Sequence, residues 1–193
     1  MRNDEFLSPL ENATLKLTDN FNGSGTFITA SIEDSYSINY TEETFRFEIL
    51  DPEINAWVIR SQSVSNVRQE IDIVAGDGAV DGYFGLICRW ESSSAYYRFT
   101  ISLDGSVKIT KVFLNITTDL AQAQDKSYAP AESNSVRLRA DCSDRNLYLY
   151  LDGELILTAE DYEIRIGKVG LVAGTVGSGP LTIDVDNYEL YYR

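Results

Sequence analysis

Seven side chains of this sequence could hold a sugar if its strands bring them together. Arg89, Tyr96, Arg98, Arg137, Arg139, Tyr148 and Tyr150 all fall on the polar side of runs that alternate apolar and polar residues. Guanidinium groups give charge-assisted hydrogen bonds to hydroxyls, and tyrosine rings stack on the apolar face of a pyranose. On one sheet face these seven would make a glycan site. The same residue types also populate ordinary solvated sheet faces, because they favour strands and pair well across them.

A second set is rich in oxygen. Asp19, Asp184, Asp186 and the loop Gly76-Asp77-Gly78-Ala79-Val80-Asp81-Gly82 carry carboxylates and carbonyls of the kind that fill a calcium shell of about six to eight oxygens. Aspartate beside glycine is turn chemistry as well, so a structural calcium and plain turns are both readings of these residues.

Other chemistry is excluded. The chain has no histidine, which removes Ser-His-Asp and Cys-His nucleophilic sites and the usual zinc sites. Thirty acidic residues against sixteen basic ones give a net charge of −14, spread along the chain, which repels nucleic acid and anionic lipid. No run approaches the ~18 apolar residues of a membrane helix, so no membrane insertion is expected. Residues 1–10 contain no signal-peptide core, and any export signal or anchor is expected to lie outside this sequence. Sequons at Asn12, Asn22, Asn39 and Asn115 matter only in a glycosylating host.

The elements that would position these groups are strands. Phe84–Trp90 and Val136–Cys142 both alternate at period 2 and put Cys88 and Cys142 on their apolar sides. The parity of the first run also places Trp90 inward and Arg89 outward; the face of Trp57 is ambiguous. In an oxidising compartment the two cysteines are expected to bond, closing a loop of about 55 residues with an entropic effect of roughly 4 kcal/mol. Two buried free thiols are the alternative. Asp104-Gly105 and Asp152-Gly153 predict two-residue hairpin turns, with Leu147, Leu149 and Leu151 on the core side and Tyr148 and Tyr150 opposite.

Further strands are predicted over Thr26–Ile32, Thr44–Leu50, Ala56–Arg60, Val67–Ala75, Val169–Thr175 and Leu181–Tyr192. The last changes parity between Val185 and Tyr188, which calls for a β-bulge near Asn187. Leu120–Lys126 is the one helix candidate. Many short strands without βαβ spacing predict an all-β, antiparallel two-sheet sandwich over residues 15–193, preceded by a polar leader over 1–14.

The order of the pieces carries a resemblance. Asp19-Asn20-Phe21, the Phe84–Trp90 strand, Tyr97-Arg98-Phe99 before Asp104-Gly105, Arg137–Cys142, Tyr148–Gly153, Gly167–Thr175 and terminal Asp186-Asn187-Tyr188 occur in sequence. Together they resemble concanavalin A-like lectin/glucanase jelly rolls, in particular the laminin-G-like and 3-keto-disaccharide-hydrolase-type domains of secreted bacterial proteins. The resemblance implies a jelly-roll β-sandwich and an extracellular or cell-surface location. It also implies a calcium site where first and last strands meet, for which Asp19 and Asp186 are the matching pair.

Within this fold Glu70-Ile71-Asp72 is similar to the first half of the E-x-D-x-(x)-E motif of laminarinase-like hydrolases. The second glutamate is replaced by Val74 or Ala75, so the acid/base of a retaining pair, held about 5–5.5 Å from its nucleophile, is missing. Glu48 with Glu70 is the remaining carboxylate pairing that folding could create. No catalytic residue is therefore assigned. The expectation is a noncatalytic carbohydrate-binding or adhesion module, whose partner is a glycan or a cell-surface protein. A structural or protein-interaction domain of a surface assembly, and a glycoside-cleaving enzyme, are the alternatives.

Overall fold

A computed structural model describes residue 10 and residues 13–76, 81–130, 135–177 and 179–193. Its elements are β1 (Thr14–Asp19), β2 (Ala30–Ile32), β3 (Tyr36–Tyr40), β4 (Phe45–Ile49), β5 (Asn55–Val64), β6 (Val67–Ala75), β7 (Tyr83–Ser92) and β8 (Ala95–Ser102). There follow β9 (Ser106–Phe113), β10 (Ile116–Gln124), a 3₁₀ turn at Lys126–Tyr128, β11 (Val136–Ser143), β12 (Asn146–Leu151), β13 (Glu154–Glu160), β14 (Gly167–Gly174) and β15 (Leu181–Tyr192). Of the expected leader over 1–14, most lies outside the described residues; Leu10 is buried and Thr14 already belongs to β1.

The strands form two antiparallel sheets. One has nine strands, in the order β13-β12-β11-β6-β15-β4-β3-β2, with β1 along the second half of β15. The other has six, in the order β10-β9-β8-β7-β14-β5. Each sheet turns its apolar parity inward, so Phe84, Leu86, Tyr97, Phe99, Ile101 and Leu171 of the smaller sheet meet Ile71, Ile73, Leu138, Leu147, Leu149 and Val185 of the larger. The fold is the two-sheet jelly roll expected from the alternation.

Two links cross the core. Cys88 on β7 and Cys142 on β11 are bonded, with Cα atoms 6.8 Å apart, so the disulfide ties one sheet to the other. Tyr188 Oη donates to Gln69 Oε1 at 2.9 Å, and Gln69 Nε2 donates to the Ile87 carbonyl at 2.9 Å. Both groups of this polar pair are buried, and the shared bonds satisfy them.

Turn chemistry followed the sequence at one hairpin and departed from it at the other. Asp152 and Gly153 both have positive φ, 49° and 84°, as the two-residue turn requires. At Asp104-Gly105 only Gly105 does, at 83°, and its N–H donates to the Ser102 carbonyl. The connection is a three-residue loop, Leu103-Asp104-Gly105, whose aspartate accepts from the Ser106 N–H and hydroxyl. The flanking parity is unaffected. Leu120–Lys126 is not a helix: Leu120 to Gln124 belong to β10, paired with β9, because tertiary pairing outweighs weak local propensity. The expected bulge is present, with Asn187 at φ 51° and both Val185 and Tyr188 buried.

Candidate functional site

One residue reverses the reading of the Phe84–Trp90 strand. Arg89 sits at φ 52°, and the pairing of β7 with both β8 and β14 shifts there. A bulge flips the parity of all that follows. Arg89 therefore turns inward and Trp90 outward, opposite to expectation. Gly167 backs onto this bulge, where a Cβ would collide with the Arg89 carbonyl carbon.

Arg89 does not belong to a sugar-binding face. It is 1% exposed, and its guanidinium donates to the carbonyls of Ser65 at 3.1 Å, Ile164 at 3.0 Å and Asp144 at 2.7 Å. It is a strut under three loops. Burial pushes its pKa down, but the carbonyl shell accommodates the cation.

The other six residues divide between two surfaces. Arg137, Arg139, Tyr148 and Tyr150 lie outward on the nine-stranded sheet, Tyr96 and Arg98 outward on the six-stranded one. The seven therefore do not share a face, because β11 pairs with β6 and β12, and neither β11 nor β12 pairs with β7 or β8.

On the nine-stranded sheet the arginines are already engaged. Arg137 bonds Asp72 at 3.0 Å, Glu70 at 3.3 Å, Glu189 at 2.7 Å and the Asn187 carbonyl at 3.2 Å. Arg139 and Arg68 both bond Asp141, which is fully buried beneath them. Tyr148 and Tyr150 occupy the face opposite the three leucines, as expected, yet both are nearly covered, with the Arg139 guanidinium 4.1 Å above the Tyr150 ring centroid. Glu70 and Asp72 are thus members of an ion lattice. Glu48 lies opposite Thr182 and Glu70 opposite Glu189, far apart along β15 at about 3.3 Å per residue, so that pair does not converge.

Asp19, Asp184 and Asp186 are each engaged by protein donors. Asp19 accepts from the Phe21 N–H at 3.0 Å and from the Thr26 N–H and hydroxyl at 2.7 and 2.8 Å. Donors, not further oxygens, surround its carboxylate, which fastens the loop from Phe21 to Thr26. Asp184 is paired with Arg46 and Thr44, and Asp186 accepts from the adjacent Asn187 N–H. Among the described residues no three acidic side chains cluster as metal ligands. Asp77 of the glycine-rich loop lies outside the described residues.

The outer face of the six-stranded sheet has another character. Ile59, Ile87, Val112 and Val172 point away from the main core, yet the last three are buried under Trp90, Tyr96 and Tyr83. This second apolar cluster carries an aromatic ridge. Trp57 contacts Trp90 with ring centroids 5.3 Å apart, and Trp90 contacts Tyr96 at 4.8 Å. Trp57 is 37% exposed at the open edge, Trp90 is half-buried and Tyr96 is 8% exposed.

Register places Trp57, Val172, Gly85, Thr100 and Lys108 in one row across five strands, with Ile59 and Tyr83 leaning over Gly170 and Gly174. Beside the ridge this face holds a furrow, a depression of about 300 Å³ lined by Asp81, Tyr83, Arg98, Thr100, Asp104 and Lys108. Arg98 donates to Tyr83 Oη at 2.9 Å, and Tyr83 Oη donates to Asn55 Oδ1. Among the described residues Arg98 makes no salt bridge and its buried Nε–H has no hydrogen-bond partner. Burial pushes the Tyr83 and Tyr96 hydroxyls up in pKa, partly offset by Arg98, so both remain neutral donors.

Sequence reasoning missed Trp90, Tyr83 and Asn55, and left Trp57 open. The signal for Trp90 lay in Gly167 and Gly170 on the neighbouring strand, whose close approach marks a bulge only once the pairing is known.

No protein-family model and no curated protein matches the sequence. Solved structures do. The carbohydrate binding module CBM66 from Bacillus subtilis superposes with TM-score 0.63 at 18% identity, over 91% of this chain and 95% of that one. A β-glucanase of Bacillus licheniformis gives 0.65 at 13% identity, over 92% and 97%. The catalytic domain of an endo-1,3-β-glucanase (laminarinase) from Thermotoga petrophila gives 0.66 at 8% identity, over 93% and 98%. At these identities the likeness is one of architecture, and the chain has the concanavalin A-like jelly-roll fold.

Proposed function

We propose that this chain is a noncatalytic glycan-binding module whose site is the outer face of the six-stranded sheet, between the Trp57–Trp90–Tyr96 ridge and Arg98. The observation that carries it is the ridge itself: rings seated on their own apolar cluster, at an open edge, beside an arginine that makes no salt bridge among the described residues. Rings held this way lose little freedom when a sugar stacks on them. The furrow supplies hydroxyl and guanidinium donors from Thr100 and Arg98, beside the Tyr83 ring.

Of the two carboxylates lining the furrow, Asp81 and Asp104, the second is engaged in its own turn by the Ser106 N–H and hydroxyl, which supports binding over hydrolysis by such a pair. The disulfide suits an oxidising, extracellular setting. Affinity electrophoresis against a panel of soluble polysaccharides tests the reading. Retardation is expected for at least one, weakened about tenfold, or ~1.4 kcal/mol, in Trp57→Ala. No retardation across the panel would sink the proposal, and release of reducing ends would overturn its noncatalytic part.

A further inference from the structure

The ridge is not flat. The rings of Trp57 and Trp90 are inclined by 48°, and those of Trp90 and Tyr96 by 30°. A pyranose stacks with its C–H face parallel to an aromatic ring, so the tilt between successive rings is the tilt required between the sugars that cover them. A crystalline polysaccharide presents coplanar sugars along a rigid plane. Laid on this ridge, such a plane meets one indole and leaves the other tilted away from it.

The inclination is built in. Trp90 and Tyr96 rest on Ile87, Val112 and Val172, and the backbone under Trp90 is fixed by the Arg89 bulge, whose side chain is anchored to three carbonyls. Rotating Trp90 into the plane of Trp57 would uncover that cluster. Only Trp57, on the edge strand β5, is open enough to adapt.

Resting on the glycan-binding reading above, we infer that the ligand is a single, twisted, soluble glycan chain and not the surface of a crystalline polysaccharide. Successive sugars would follow the ridge as it turns from Trp57 to Trp90, with hydroxyls directed to the furrow at Thr100 and Arg98. The centroid steps of 5.3 and 4.8 Å make the ridge one continuous surface, so adjacent sugars are engaged instead of alternate ones.

The experiment pairs two measurements on the intact chain. Depletion by microcrystalline cellulose and by crystalline chitin is compared with affinity electrophoresis in soluble β-1,3-glucan, mixed-linkage glucan and xylan. The inference expects retardation by a soluble chain, at least tenfold weaker in Trp57→Ala, with no depletion by either solid beyond a non-binding control protein. Trp90→Phe, which keeps an aromatic ring over the cluster, should weaken retardation without unfolding. Depletion by a crystalline solid that Trp57→Ala abolishes would overturn the inference while leaving glycan binding intact. Retardation unchanged in both variants would overturn it by removing the ridge from the site. Binding to neither form would overturn the functional reading and the inference together.

Discussion

The two outer faces of this sandwich use similar residue types to opposite ends. On the nine-stranded sheet Arg46, Arg68 and Arg137 each meet a carboxylate on a neighbouring strand, Arg139 meets one on its own strand, and Tyr150 lies beneath a guanidinium group. On the six-stranded sheet Arg98 makes no salt bridge among the described residues, while the aromatic rings stand on an apolar cluster. An arginine surrounded by carboxylates has its hydrogen-bonding capacity filled, and a ligand would have to displace those bonds. A counted residue type therefore says little about binding until its partners are known.

The strut that separates the faces should give the largest effect. Arg89→Met keeps comparable bulk but leaves the carbonyls of Ser65, Asp144 and Ile164 without their donor. A loss of about 3–5 kcal/mol is expected in urea unfolding. Less than ~1 kcal/mol would mean that the three loops hold their positions without it, and that the bulge alone directs Trp90 outward.

Arg137→Ala tests the opposite face. It leaves Glu70, Asp72 and Glu189 facing one another without their shared cation, at partly exposed positions where solvent screens the repulsion. Roughly 1–2 kcal/mol of stability should be lost, partly restored by ~1 M salt, with glycan retardation unchanged. A loss of binding with stability intact would return the site to the nine-stranded sheet.

Trp57→Ala should show the reverse pattern. Its ring is at the open edge, so stability should fall by about 1 kcal/mol at most while retardation falls about tenfold. Binding that rests on stacking should also change less than about twofold across moderate salt, unlike the stability of the ion lattice.

How much of this was legible follows from what sets each feature. The strand periods, the inward cysteines, the Asp152-Gly153 turn and the bulge at Asn187 are local patterns, and all were readable. The parity switch at Asn187 announced itself because apolar residues lie on both sides of it, Val185 before and Tyr188 after. The switch at Arg89 did not. There the core side receives an arginine and the outer side a tryptophan, so polarity points the wrong way, and only the three carbonyls waiting inside make the placement favourable. Which strands share a sheet is a long-range property. The sequence of Arg137 and Arg98 contains nothing that assigns β11 to β6 and β8 to β7.

The smallest expected effect concerns how the six-stranded sheet holds the loop after β13. Tyr97 Oη donates to Asp161 Oδ1 at 2.5 Å and accepts from the Ile164 N–H at 3.2 Å, while Lys111 Nζ bonds Asp161 at 2.6 Å and Glu163 at 2.7 Å. For Asp161, burial pushes the pKa up, but the hydrogen bonds from Lys111, Tyr97 and the Glu163 N–H outweigh it and hold the carboxyl below its ordinary range. Its contribution is therefore present above the unfolded-state value near ~4 and is lost as the pH falls through the folded one. For Tyr97, burial and the bond to Asp161 raise the pKa to about 12, so its contribution is full below about pH 10 and is lost between there and about 12. Asp161→Asn should flatten the acid limb of the stability profile, with about 1 kcal/mol lost at neutral pH, and Tyr97→Phe should flatten the alkaline limb. Because the latch grips the underside of the sheet and leaves the ridge untouched, neither change should alter glycan retardation at neutral pH. A binding defect in either variant would mean that the loop and the aromatic face are mechanically coupled, and that the ridge owes its tilt to this latch as well as to the bulge.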